Sequence, residues 1–202
     1  MAFWRGLGAA LVIAAAALSA CGPSVDLTVQ APATFPEEPG GYEAATIERV
    51  VDGDTLVVRI TGRTDGPGLG DSVVGRSYRV RLIGIDTPES VDPRRPVECF
   101  GHEAGAAMSA LVKDRSVRLV KDVEETDRYD RLLRYVYMEA EMVNARLVTN
   151  GYAHAYTFPP NVRHSDLFVR LEREARENDR GLWAPDTCNA MTRSGFFGLS
   201  DN

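Results

Sequence analysis

The sequence predicts an α+β fold, a small mixed β-barrel of five strands with about three helices set between them. Three observations predict it. Five short stretches are rich in Val, Ile, Leu and Tyr and alternate as half-buried strands do. Three longer stretches carry apolar residues at helical spacing. Asp52-Gly53, between the first two strand-like runs, is a hairpin signal. The pattern by itself is shared with other α+β folds.

Ala45–Val51 and Thr55–Ile60 are the first two strands, meeting at the Asp52-Gly53 turn. Residues 62–75 contain five glycines and a proline and are expected to form a long loop. Arg76–Ile85 alternates polar and apolar residues as a third strand. Cys99–Lys113, with Ala and Met at helical spacing, is the first helix. Ser116–Val120 and Leu132–Tyr137 are the last two strands. Met142–Thr149 is a helix that stops at Asn150-Gly151. Asp166–Asn178 is a charged amphipathic helix. No internal repeat is present.

The chain begins with Arg5 ahead of an apolar run from Leu7 to Ala17, followed by Leu18-Ser-Ala-Cys21. This is the pattern of a signal peptide over residues 1–20. The run is shorter than the ~20 residues of a membrane-spanning helix. Leu-Ser-Ala-Cys looks like a bacterial lipobox, which would make Cys21 the lipidated first residue of the mature chain. The alternative is ordinary secretion. Residues 21–41 and 189–202 lack apolar periodicity and are expected to be a flexible tether and tail. One domain remains, residues 42–188, large enough to bury a core.

Of three cysteines, Cys99 and Cys188 remain after Cys21. In an oxidising compartment an even pair is most simply a disulfide, two free thiols being the alternative. Two cysteines and three scattered histidines show no zinc-ligand spacing. His102, His154 and His164 fit no catalytic pattern and are expected on the surface or in helices. The net charge of −6 argues against long-range attraction to a polyanion, so any contact with nucleic acid must rest on local positive charge.

Local charge is what the motifs supply. Asp54 sits in Val51-Asp-Gly-Asp-Thr55, Arg81 ends the third strand, Asp86-Thr-Pro-Glu89 follows, and Arg131 closes Asp127-Arg-Tyr-Asp-Arg131. Carboxylates hold a hard cation through oxygen. Guanidinium groups clamp phosphate in two-point fashion. A cation and arginines around one phosphate suit phosphodiester cleavage. Taken singly, each residue has an ordinary use: a turn aspartate, an outward strand arginine, an arginine paired with a nearby aspartate. The ordered set carries the reading.

With Met142-Val-Asn144, Asn150-Gly151 and Gly181-Leu-Trp183, these segments resemble the staphylococcal nuclease (thermonuclease) family over about Ala44 to Cys188. The resemblance implies an OB-type five-stranded barrel with three helices, and a Ca2+-dependent enzyme that hydrolyses DNA, RNA or both. By that resemblance Asp54, Asp86 and the Thr87 carbonyl hold the calcium ion. Glu89 activates or orients the attacking water, and Arg81 and Arg131 bind the phosphate. Arg128, beside Tyr129, stands where a terminal phosphate would be touched. Tyr156 or Phe158 stands near the base. Asp130 departs from the family's glycine and puts its positive-φ backbone in question. The protein is expected to act as a monomer outside the cytoplasm, held to the cell envelope by its lipid anchor. Two other classes compete: a catalytically silent OB-type module binding nucleic acid or protein, and a structural envelope lipoprotein that would explain none of the motifs.

Overall fold

The computed structural model of the chain describes residues 40–94 and 96–188. The signal peptide, Cys21, most of the tether and the tail lie outside the described residues.

β1 (Tyr42–Asp52), β2 (Thr55–Thr64), β3 (Ser77–Leu82), β5 (Ser116–Val120) and β6 (Leu132–Met138) form the barrel wall. They pair in the order β3-β2-β1-β5-β6, and a parallel β3–β6 pairing closes the ring. Three short strands, β4 (Ile85–Asp86), β7 (Glu141–Met142) and β8 (His154–Ala155), decorate it. The helices are α1 (Gly101–Val112), α2 (Val143–Thr149) and α3 (Ser165–Glu177). The result is the closed five-stranded mixed barrel with three helices that the family resemblance implied. None of the helices formed by the described residues is long and apolar enough to cross a membrane.

Alternation sets the core. Leu56, Val58, Val80, Leu82, Leu119 and Val136 point inward and are buried. Their strand neighbours Val57, Arg79 and Arg81 take the outer face. Helix residues Met108, Val112, Leu147, Phe168 and Leu171 join the same core. Full burial of such side chains contributes roughly 1.5–3 kcal/mol each, so the ends of β2 and β3 are firmly held.

The expected third strand, Arg76–Ile85, is in fact two. It breaks at Ile83-Gly84, where Gly84 takes φ 80°. A Cβ there would lie 2.3 Å from the Phe168 ring. The chain then leaves the barrel, and β4 pairs with β8, Asp86 opposite His154. Conversely, β2 runs on to Thr64, so the long loop starts later than its glycines suggested. That loop is anchored: Ser72 N–H donates to Glu43, which forms a fully buried pair with Arg134 at 2.6 Å. His164 is a correction. It precedes α3 but is 7% exposed, packed on Tyr135 and Phe168 rather than on the surface.

Candidate nuclease-family site

The Asp54 carboxylate is the hub. It sits in the two-residue turn between β1 and β2, where Asp52 pairs with Thr55. Gly53 is required there by space, because a Cβ would meet Thr87 and Ala104 within 3 Å. That close approach brings the Thr87 segment onto Asp54. Thr87 donates to Asp54 Oδ2 from its N–H (2.9 Å) and its hydroxyl (3.1 Å). Thr55 Oγ1 donates to Oδ1 at 3.1 Å.

Arg81 reaches the same carboxylate at 3.1 Å and Asp86 Oδ1 at 2.7 Å. It also donates to the carbonyls of Leu82 and Ile85, across the break between β3 and β4. Its guanidinium therefore fixes the bend that presents Asp86. Partial burial raises the Asp86 carboxyl above its ordinary value, with Arg81 opposing. Burial, reinforced by the charge of Asp54, pushes Asp52 up to about 6.

Glu89 lies in the next turn. Its Oε1 accepts the backbone N–H groups of Ser90, Val91 and Asp92 at 2.7–3.0 Å. Those bonds, Val91's first, hold its carboxyl below the usual glutamate range. Glu98 closes the loop: its N–H donates to the Glu89 carbonyl at 2.8 Å, and its carboxylate accepts the Glu89 N–H at 3.0 Å. The neighbouring Cys99 is bonded to Cys188, as the cysteine count suggested.

Arg131 comes from the turn before β6. Asp127 binds it twice, accepting the Arg131 N–H at 3.0 Å and the guanidinium at 2.7 Å. Burial works to raise Asp127, but these bonds prevail and its carboxyl lies below its ordinary value. Asp130 takes φ 58°, so the aspartate keeps the left-handed conformation that a glycine would adopt there. Arg128 lies over the Tyr129 ring at 4.7 Å.

Two hollows meet at this site. One, about 150 Å³, is polar and lined by Asp52, Asp54, Asp86, Glu89 and Glu98 together with Arg81 and Arg131. The other, about 560 Å³, is lined by Arg81, Arg131, Tyr129, Tyr156 and Phe158 among others. Tyr156 and Phe158 stack at 6.4 Å and stand 50% and 63% exposed. They are a wall of the cleft, not core packing. The two arginines alone, with no other residue, line both hollows.

The family model described as "Staphylococcal nuclease homologue" matches residues 79–185. A thermonuclease of Staphylococcus intermedius is 35% identical over 141 residues, 70% of this chain and 76% of the relative. This chain belongs to the staphylococcal nuclease family. A thermonuclease of Staphylococcus hyicus is 33% identical over 67% of this chain and 73% of its own length. Endonuclease YncB of Bacillus subtilis is 32% identical over 76% of this chain and 66% of its own length. The matched segment takes in Arg81, Asp86 through Glu89 and Arg128 through Arg131; Asp54 precedes it.

In this staphylococcal nuclease homologue the donors suit a hard cation. They are oxygens only, and five carboxylates face two guanidinium groups around the small hollow. Burial does most to raise the Asp52 carboxyl, and the charge of Asp54 beside it adds a part that a cation would relieve. Among the described residues, no three His, Cys, Asp or Glu side chains enclose an ion unaided. A set of Asp54, Asp86 and the Thr87 carbonyl would need further oxygens to complete it. Sequence reasoning missed Asp52 and Glu98 as members of the site. Asp52 had a signal in its Asp-Gly-Asp spacing. Glu98 had none, since only loop closure brings it back to Glu89.

Proposed function

We propose that this protein is a calcium-dependent nuclease that hydrolyses phosphodiester bonds of DNA, RNA or both. The observation that carries the reading is the pair Arg81 and Arg131. They lie between an acidic hollow suited to a cation and an aromatic cleft suited to a nucleotide. The thermonuclease and endonuclease relatives support the nuclease. The oxygen donors of Asp54, Asp86 and Thr87 support calcium over magnesium, which demands a stricter octahedron.

Calcium, when bound, supplies Lewis-acid polarisation of a phosphate oxygen. The chain's own residues do the rest. Arg81 and Arg131 aim guanidinium donors at the equatorial oxygens, where negative charge grows as phosphorus becomes pentacoordinate. Asp127 holds Arg131 in place for this. Glu89, kept ionised by its turn, is a weak base and serves to orient the water. The base stacks on Tyr156 or Phe158, a contact tolerant of sequence, and Arg128 with Tyr129 touches a terminal phosphate.

The test is digestion of denatured DNA and of RNA with calcium or with chelator. Degradation that needs calcium supports the reading. Full activity in chelator rejects the metal assignment, and binding without cleavage would favour a silent binding module. The protein acts outside the cytoplasm, anchored by lipid on Cys21. Cys21→Ser should release it from membranes, and continued sedimentation with membranes would reject the anchor.

A further inference from the structure

We propose that Arg49 and Arg79 form a phosphate track that carries a polynucleotide strand away from the cleavage site across the outer face of the barrel. The inference rests on the nuclease reading and extends it to substrate length. Along β3, Arg79 precedes Arg81 by one alternation step, so both share the outer face while Val80 is buried. The register aligns two rows across the sheet. Arg81 pairs with Thr55, which pairs with Asp52, inside the site. One step outward, Arg79 pairs with Val57, which pairs with Arg49. On the other side, Leu132 pairs with Val80, so Arg131 immediately precedes Leu132 just as Arg79 precedes Val80. The outer row therefore adjoins both phosphate-binding arginines.

Arg49 and Arg79 are exposed, and among the described residues neither makes a side-chain hydrogen bond or ion pair. Arg59, farther along β2, differs: Glu48 at 3.1 Å and the Gly75 carbonyl occupy it. Two uncompensated guanidinium groups beside the site matter in a chain of net charge −6, which has no general attraction for a polyanion. The step from Arg81 to Arg79 is about 7 Å along the strand, short enough for both guanidinium groups to reach one sugar–phosphate backbone. The partner is thus the sugar–phosphate backbone of the substrate strand itself, held without regard to base.

The test compares wild type with Arg49→Gln/Arg79→Gln on two substrates, a dinucleotide that fills only the cleft and a long single-stranded oligonucleotide. Thermal melting checks that the double variant is folded, as its exposed positions lead one to expect. The variant should cleave the dinucleotide at the wild-type rate. On the long strand its kcat/KM should fall at low salt. The slope of log(kcat/KM) against log[salt] should shrink by about 1.4, two contacts at ~0.7 each, or roughly 25-fold per decade of salt. An unchanged slope on the long strand overturns the track. So does an equal loss on the dinucleotide, which would place the two residues' effect in the cleft. A wild-type protein that cleaves neither substrate overturns the nuclease reading, and the track with it.

Discussion

Asp127 holds Arg131 by two bonds, one to its backbone N–H at 3.0 Å and one to its guanidinium at 2.7 Å. The same carboxylate accepts the Tyr129 N–H at 2.9 Å. One side chain therefore shapes the whole turn that ends in Arg131, the arginine proposed to bind phosphate. Asp127→Ala is expected to lower kcat by roughly 10²-fold, since small misplacement of a catalytic group costs about that much. Asp127→Asn keeps an acceptor for the backbone N–H groups and should recover part of the loss. Equal rates for wild type and Asp127→Ala would show that Arg131 needs no such support.

Direct removal of the arginines should cost more. Arg81→Ala and Arg131→Ala are each expected to lose ~3–4 kcal/mol of transition-state stabilisation, as for one preorganised donor. Lysine should not rescue either, because a point charge cannot reproduce the fork. The two should differ in stability. Arg131 is held at a turn, whereas Arg81 also bonds the Leu82 and Ile85 carbonyls and partners Asp54 and Asp86. Arg81→Ala should melt earlier than Arg131→Ala. The reverse order in a melting experiment would contradict the structural role given to Arg81.

Calcium should raise the melting temperature, because a ligand that binds the folded state alone stabilises it by ~2.7 kcal/mol at 100 times its Kd. Asp54→Asn and Asp86→Asn should abolish the shift. A full calcium shift in both variants would remove these residues from the metal site.

Much of this was legible because strands alternate and turns have preferred residues. The barrel strands, the three helices and the order of Asp54, Arg81, Asp86, Glu89 and Arg131 can all be read along the chain. What could not be read depends on contacts distant in sequence. Gly84 looked like one more strand residue, yet Phe168 from α3 presses on it and the strand ends there. Asp130 looked like a fault in the turn before Arg131, yet aspartate accepts φ 58° and the turn survives. His164 looked like a helix-flanking surface residue. Its burial follows from Tyr135 and Phe168, which meet it only once the barrel and α3 pack.

That burial has a pH consequence. Desolvation, with Arg163 nearby, lowers the His164 pKa to about 4. In the unfolded chain histidine titrates near ~6.5. The folded value is the lower one, so as pH falls the unfolded chain takes up the proton first. The stabilisation is complete above about pH 6.5 and is lost between there and about 4. At ~1.4 kcal/mol per unit the total is roughly 3 kcal/mol. His164→Gln removes the titration. Its melting temperature should fall less steeply than wild type between those pH values, and parallel curves would reject the assignment.

The disulfide offers the last test, because it joins stability to the site. Cys99 and Cys188 close a loop with a sequence separation of 89. Such a loop contributes up to ~4–5 kcal/mol in the chain-entropy model. In a version of the chain beginning at Gly41 these are the only two cysteines. A thiol assay under denaturing conditions should find none free until reductant is added. Two titratable thiols in unreduced protein would rule out the bridge. Cys99 also follows Glu98, whose carboxylate and N–H hold Glu89. Cys99→Ser/Cys188→Ser should therefore melt earlier and, at temperatures where it is still folded, cleave DNA more slowly than wild type. If the folded variant cleaves at the full rate, the bridge serves stability alone, and the Glu98–Glu89 bonds keep the Glu89 turn in place without it.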